Sequence, residues 1–399
     1  MIVNIANTSV EYGATPIYQV NAKYLMPDLV NVVNLPVTNN GFYRVSDGTG
    51  AYIKFNISAE NPTYSQANQG GYLNANTASN PSYRLGLSIF ESNAQNYNSM
   101  LNNGVAGYGY LTVTPKELAL SNGGVSVTGI AKTYDGSAAI NNLPVSVATA
   151  AGRDVLLGDQ VSYTATGNFT GVNPADVGVA KPAAVSLALT GTNAANYKLP
   201  TAATNGTLVV TGNVTQLQSV TWVGGSSGNW FEANNWTGGA LPVRSNVANV
   251  IIPTGATVLF NNDIAGSPTL SSGTAITNNG ALAFRSSTPY VLNSAISGLG
   301  KIIQSGSGAL TLASTNTSSG GLDLNGATLV IDNASGVGSG ILRSNSGSLQ
   351  VNPVVNQLTV NGSVTLLSDV VANGDLTFNA SVTLAGTNSV VVNGVTYKD

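Results

Sequence analysis

The 399-residue chain contains no cysteine and no histidine. Without cysteine there is no disulfide framework, no thiolate nucleophile and no zinc–thiolate site. Without histidine, Ser-His-Asp catalysis, the commonest general base and most transition-metal sites are excluded. The two absences together argue against an enzyme, and no cofactor or metal is expected. Charge is also scarce: Asp, Glu, Lys and Arg make up 8% of the residues, about a third of the ~25% usual in globular domains. Lys plus Arg number 14 against 17 for Asp plus Glu. A net charge of −3 offers no electrostatic footprint for nucleic acid. No apolar run reaches the ~18 residues that a membrane-spanning helix needs, so no membrane span is expected. The opening "MIVNIANTSVEYG" has neither the basic nor the apolar region of a secretory signal.

What remains is glycine, asparagine, serine, threonine and small aliphatics. The 46 glycines and a 43% hydrophobic content fit a rigid, turn-rich β-protein and not a disordered chain. The length implies two or three domains. Composition shifts sharply along it: residues 1–115 hold 11 of the 16 tyrosines and residues 237–399 hold two. The first segment alternates apolar and polar residues, as in "AYIKFNIS" and "YRLGLSIF", between Asn-Gly, Asp-Gly and Asn-Pro turns. That pattern predicts antiparallel strands. It closes with "GYLTVTP" at 109–115, where Pro115 ends the ladder.

Residues 116–213 repeat the plan in diverged form. "YDG" at 134–136 echoes "YG" at 12–13, "NY" recurs at 96–97 and 196–197, and "GTLVVTG" at 206–212 echoes "GYLTVTP". Tyr134 and Asp135 are expected to be a core aromatic beside a turn-forming carboxylate. "KTYDGSAAI", "LTGTNAANYKL" and "GTLVVT" resemble the YDG domains of filamentous-haemagglutinin-type bacterial exoproteins. "EYGATPIY", "NAQNY" and "GYLTVTP" resemble the related MBG modules of the same proteins. The resemblance implies β-sandwich-like (Ig-like) spacers in series and brings no catalytic residues.

From about 240 onward short apolar alternations recur, among them "ALTL" (309–312), "TLVI" (328–331) and "SLQV" (348–351). A period near twenty with short strands and few aromatics is the signature of a parallel β-helix. About 160 residues at that period give roughly seven or eight coils. Gly308, Leu310, Leu312, Asn316, Gly320, Gly321 and Leu329 match the frame of the autotransporter-associated β-helix repeat, which this stretch resembles. The expected architecture is all-β, with two β-sandwich-like modules (1–115 and 116–213), a Trp-rich junction or cap (214–242) and a right-handed parallel β-helix (243–399).

A β-helical polysaccharide-processing enzyme would need carboxylates converging on one groove. The solenoid has no Glu, and Asp263, Asp323, Asp332, Asp369, Asp375 and Asp399 are scattered singly. "GVGSG" at 336–340 lacks the lysine and the strand-to-helix context of a phosphate loop. Sequons at Asn56, Asn168, Asn213, Asn235, Asn361 and Asn379 are frequent in any chain so rich in Asn, Ser and Thr. The one concentrated feature is "WVGGSSGNWFEANNW", which holds Trp222, Trp230 and Trp236, all the tryptophan there is. These aromatics are candidates either for a cap over the apolar end of the solenoid or for glycan contact.

The expected role follows from the resemblance: a structural or adhesive stalk or fibre in a large secreted surface protein, exported by two-partner secretion. Its expected partners are an outer-membrane secretion protein and a glycan or cell-surface receptor. The alternative is a self-assembling extracellular filament or biofilm-matrix subunit, associating end to end near Val390 to Val395, where an apolar strand has poor edge protection.

Overall fold

The computed structural model describes residues 2–25, 32–35, 37–39, 42–46, 52–60, 73–75, 82–92, 109–119, 127–148, 154–200, 208–261, 263, 270, 274–333, 335–351, 354–355, 357–372, 374–392 and 395–397. Among the described residues there is no α-helix; strands are joined by turns and short 3-10 segments. The chain divides into two compact units, Met1–Ile130 with Ile140–Gly167 and Ala184–Val210, and Ala131–Ala139 with Asn168–Ala183 and Thr211–Asp399.

The first unit opens with two facing sheets. Ile2–Ile5, Val20–Leu25 and Val32–Leu35 form an antiparallel three-stranded sheet. A six-stranded sheet runs in the order Thr8–Glu11, Tyr110–Thr114, Tyr83–Ser92, Tyr52–Glu60, Tyr43–Ser46, Val37–Asn39. Its first pair is parallel and the other pairs are antiparallel. Alternation fixes which face is inside. In Tyr43-Arg44-Val45-Ser46 the tyrosine and valine are buried and their neighbours are not. Val3 and Ala22 of the small sheet share a core with Val45, Ile53 and Phe55 of the large one. Burying each of the larger side chains contributes about 2 kcal/mol. Asn96 and Tyr97, the first of the two NY pairs, lie outside the described residues.

The segment after Pro115 repeats this strand plan. Val127–Thr128, Ala139–Val147, Ser162–Phe169, Gly178–Thr190 and Leu208–Thr215 succeed one another in one sheet, and Ala131–Thr133 lies parallel to the last. As in the first module, an early strand pairs in parallel with the strand by which the chain leaves.

The second unit contains the parallel β-helix. One column stacks Ser227–Asn229, Thr257–Phe260, Ala281–Phe284, Lys301–Gln304, the starts of Leu322–Ile331 and Leu342–Val351, Leu358–Val360 and Leu376–Phe378. A second column includes Tyr290–Leu292, Leu310–Leu312, Val364–Leu366 and Val382–Leu384. A third face includes Leu217–Thr221, Val247–Ile252, Ala275–Asn278 and Ile296–Ser297, and later Val354–Val355, Val370–Ala372 and Val390–Val392. Partners such as Ile302↔Leu322 and Leu322↔Leu342 keep the twenty-residue period. Leu310 meets Leu329 at nineteen because the turn between Gln304 and Leu310 holds one residue more than the stretch between Leu324 and Leu329.

Two devices hold successive coils together. Asn316, 3% exposed, accepts a bond from the Ile296 amide (2.7 Å) and donates to the Gly336 carbonyl, bridging three coils inside the corner. On the surface, Asn345 donates to Asn325, Asn361 to Asn345 and Asn379 to Asn361, an amide ladder along the stack. Gly280, Gly300 and Gly320 sit where backbones close up. A Cβ at Gly300 would lie 2.3 Å from the Gly280 carbonyl oxygen, and one at Gly320 would lie 2.3 Å from that of Gly300.

Two placements differ from those read in the sequence. The stack begins at Leu217, well before 243, because Leu217–Thr221 and Ser227–Asn229 pair in parallel with Val247–Ile252 and Thr257–Phe260. A long first coil (Leu217↔Val247) and a Ser-Gly-Asn strand hide it from a search for apolar alternation at a period of twenty. At the other end, Val390–Val392 is no free edge, since Val395–Tyr397 turns back and pairs with it antiparallel.

Candidate functional site

The tryptophan segment forms the first coil. Trp222 follows the strand Leu217–Thr221 and Trp230 follows Ser227–Asn229; Trp222 also bridges to Trp236. The Trp222 and Trp236 rings meet edge to face at 5.2 Å, and those of Trp230 and Trp236 at 4.9 Å. Their exposures are 3%, 0% and 1% for Trp222, Trp230 and Trp236, so none offers a ring face to solvent. Each indole N–H donates to a backbone carbonyl: Trp222 to Gly225, Trp230 to Pro242 and Trp236 to Trp230. The surrounding glycines now have a reason. A Cβ at Gly224 would come within 2.6 Å of the Trp222 ring.

The cluster continues into the solenoid. Trp230 packs on Phe260 at 5.4 Å, and Phe260 touches Phe284 at 5.3 Å and Tyr290 at 4.8 Å. Phe260 and Phe284 hold the same register position on successive rungs, and the next positions are Gln304, Leu324, Ser344, Val360 and Phe378. This column therefore starts with two buried aromatics, continues through Gln, Leu, Ser and Val, and ends in Phe378. Sequence reasoning missed Phe260, Phe284 and Tyr290 as partners of the tryptophans. Their signal was a register written across coils of unequal length. At the far end Phe378 is 45% exposed where Val360, one coil earlier, is fully buried.

The solenoid carboxylates are used singly. Asp323 pairs with Lys301 (2.8 Å) and lies 3.8 Å from Arg343. Asp263 accepts from the amide and hydroxyl of Ser287, and Asp369 from those of Ser389. Asp332 and Asp375 are exposed, and Asp399 lies outside the described residues. Among the described residues no three acidic side chains gather at a spot that could hold a metal ion. Among the described residues, no helix is long and apolar enough to cross a membrane.

Tyr134 is 4% exposed, and its hydroxyl donates to the Leu241 carbonyl at 2.8 Å. Burial holds its pKa above the ordinary tyrosine value. Asp135 accepts from the Ser137 amide and pairs with Lys132 at 2.7 Å, closing the turn from within. In the first unit Asp159 receives both the Tyr12 hydroxyl (2.8 Å) and the Tyr197 hydroxyl (2.5 Å). Burial first, and the Asp159 carboxylate second, push both phenols far up.

These features define a multidomain all-β protein in which sandwich-like sheets precede a parallel β-helix with an aromatic first coil. Residues 114–206 match the YDG domain family. No curated protein and no solved structure matches the chain.

Proposed function

We propose that the chain is a structural and adhesive segment of a large secreted bacterial surface protein. In this reading it is of the filamentous-haemagglutinin type and is delivered by two-partner secretion through an outer-membrane partner. The observation that carries the reading is the combination of a YDG-matching segment at 114–206 with a parallel β-helix built from sparsely charged coils. A YDG domain fits a surface or adhesive module. Catalysis has no part in the reading, since Asp263, Asp323 and Asp369 are each engaged singly in a turn or an ion pair and no three acidic side chains gather among the described residues. The buried tryptophans act here as the lid of the solenoid, keeping its apolar interior from water. Adhesive contact then falls to the outer faces of the coils and modules.

The test is attachment of protein-coated beads to cultured cells and to a glycan array, with reducing-end release measured in parallel. Saturable attachment without cleavage supports the proposal. Cleavage of a polysaccharide that is lost on substituting Asp323, Asp332, Asp369 or Asp375 would replace it with the enzyme alternative. A second reading, self-assembly into a filament, is favoured by the exposed apolar surface at Leu376–Leu384. There Phe378 is half-exposed, and Leu376, Val382 and Leu384 are only partly covered.

A further inference from the structure

Two turns far apart in the chain make the same set of contacts. In the first module Thr8–Glu11 runs parallel to the exit strand Tyr110–Thr114. In the second, Ala131–Thr133 runs parallel to the exit strand Leu208–Thr215. Each early strand is followed directly by a tyrosine whose amide donates to the last carbonyl of the exit strand, Tyr12 to Thr114 (2.8 Å) and Tyr134 to Thr215 (2.9 Å). Each tyrosine is buried and sends its hydroxyl into the segment that follows its own module: Tyr12 to Asp159 and Tyr134 to Leu241. Each is followed by a glycine at positive φ, Gly13 at 86° and Gly136 at 77°. Both glycines face the same following segment. A Cβ on Gly13 would lie 2.5 Å from Leu156, and one on Gly136 would lie 2.6 Å from the Gly239 carbonyl oxygen.

We propose that the Tyr-Gly and Tyr-Asp-Gly turns are docking plugs, each recognised by a socket on the module that follows in the chain. The first socket consists of Leu156, Asp159 and the Asn196-Tyr197 pair. Tyr197 stands edge-on to Tyr12 at 5.4 Å, and Asn196 accepts from the Ala75 amide and donates to Asn74. The second consists of Gly239 and Leu241, just past Trp236 in the first coil. The loop over Asp176 and Val177 is tied to that coil by Arg244 (2.7 Å) and Asn246 (2.7 and 2.8 Å). The segment 116–215 thus supplies the socket of one joint and the plug of the next, which makes it an insertable unit for serial arrays. The tyrosine hydroxyl is the recognition element, because each socket offers an acceptor to which phenylalanine could not donate, although Asp159 would keep its bond from Tyr197. Asp135 belongs to the turn and not to the joint, and so the first module dispenses with it.

Hydrogen–deuterium exchange of the full chain, read by mass spectrometry on Tyr12→Phe and Tyr134→Phe, tests this. Tyr12→Phe is expected to speed exchange about ten- to a hundredfold at 116–118 and 156–160, as loss of one charge-assisted bond would. Strands Tyr52–Glu60 and Ser162–Phe169 and the second joint should keep their wild-type rates. Tyr134→Phe should act in the same way on 176–177 and 239–246 and leave the first joint alone. Gly13→Ala and Gly136→Ala, which add bulk at the interface and keep the hydroxyl, should loosen the same segments. Wild-type rates at the joints in all four variants would overturn the proposal. So would a uniform rise across each module, because it would make the tyrosines ordinary core residues.

Discussion

Truncating Trp230 to alanine removes the centre of the aromatic first coil. Its ring is fully buried, and it contacts Trp236 and Phe260. Its indole N–H satisfies the Pro242 carbonyl at 3.0 Å. Burial of an aromatic side chain with the cavity left behind costs about 3–5 kcal/mol, and the orphaned carbonyl places Trp230 at the upper end of that range. Trp236→Ala loses both ring neighbours as well and should cost about as much, whereas Trp222→Ala, at the outer edge of the cluster, should cost less. All tryptophan lies in the second unit, so denaturant unfolding followed by indole fluorescence reports that unit, and tyrosine-region circular dichroism follows the first. The fluorescence transition should move to lower denaturant while the tyrosine transition stays in place. Three variants within about 1 kcal/mol of the parent would refute the lid and the packing argument beneath it.

Other perturbations reach different parts of the molecule. Asn316→Ala strands a buried amide and a buried carbonyl on neighbouring coils and should cost about 2–4 kcal/mol, measured by the same unfolding curve; a neutral outcome would mean the bridge adds nothing. Tyr12 and Tyr197 have pKa values raised in the folded state. Their stabilisation is therefore complete below about pH 10, the ordinary tyrosine value, and is lost as pH rises beyond it. Absorbance at tyrosinate wavelengths should show these phenols ionising only with unfolding, and titration at the ordinary value would contradict their burial against Asp159. If the apolar surface at Leu376–Leu384 drives self-association, Phe378→Asp should abolish concentration-dependent growth in sedimentation velocity more fully than removal of residues 389–399. An unchanged size distribution in Phe378→Asp would sink the filament reading.

Much of this fold is legible in the sequence because its repeats are local. Leu310-Thr-Leu312 and Leu329-Val-Ile331 announce stacked strands, and glycines at 280, 300 and 320 mark a corner where backbones nearly touch. The sequence also groups the tryptophans, although not the stack beneath them. Phe260, Phe284 and Tyr290 reach that stack only through a register that runs across a thirty-residue coil, a shorter one and then a regular one. The first coil escaped notice for the same reason, since Ser227-Gly-Asn229 carries no apolar pattern. The repeated Tyr-Gly turn and the NY pair are visible as short motifs. Their joining required Asp159 and Leu156, which lie in a stretch with no repeat of its own. Contacts between distant, unpatterned positions are set by three-dimensional closure of the chain, and spacing alone does not encode them.

The central claim, that the chain is an extracellular structural segment, is tested most directly by antibody labelling of intact producing cells. Antibodies raised against the purified 399-residue chain should stain cells that have not been permeabilised. The signal should fall when surface protein is removed by brief external protease. Staining that appears only after permeabilisation would contradict the account.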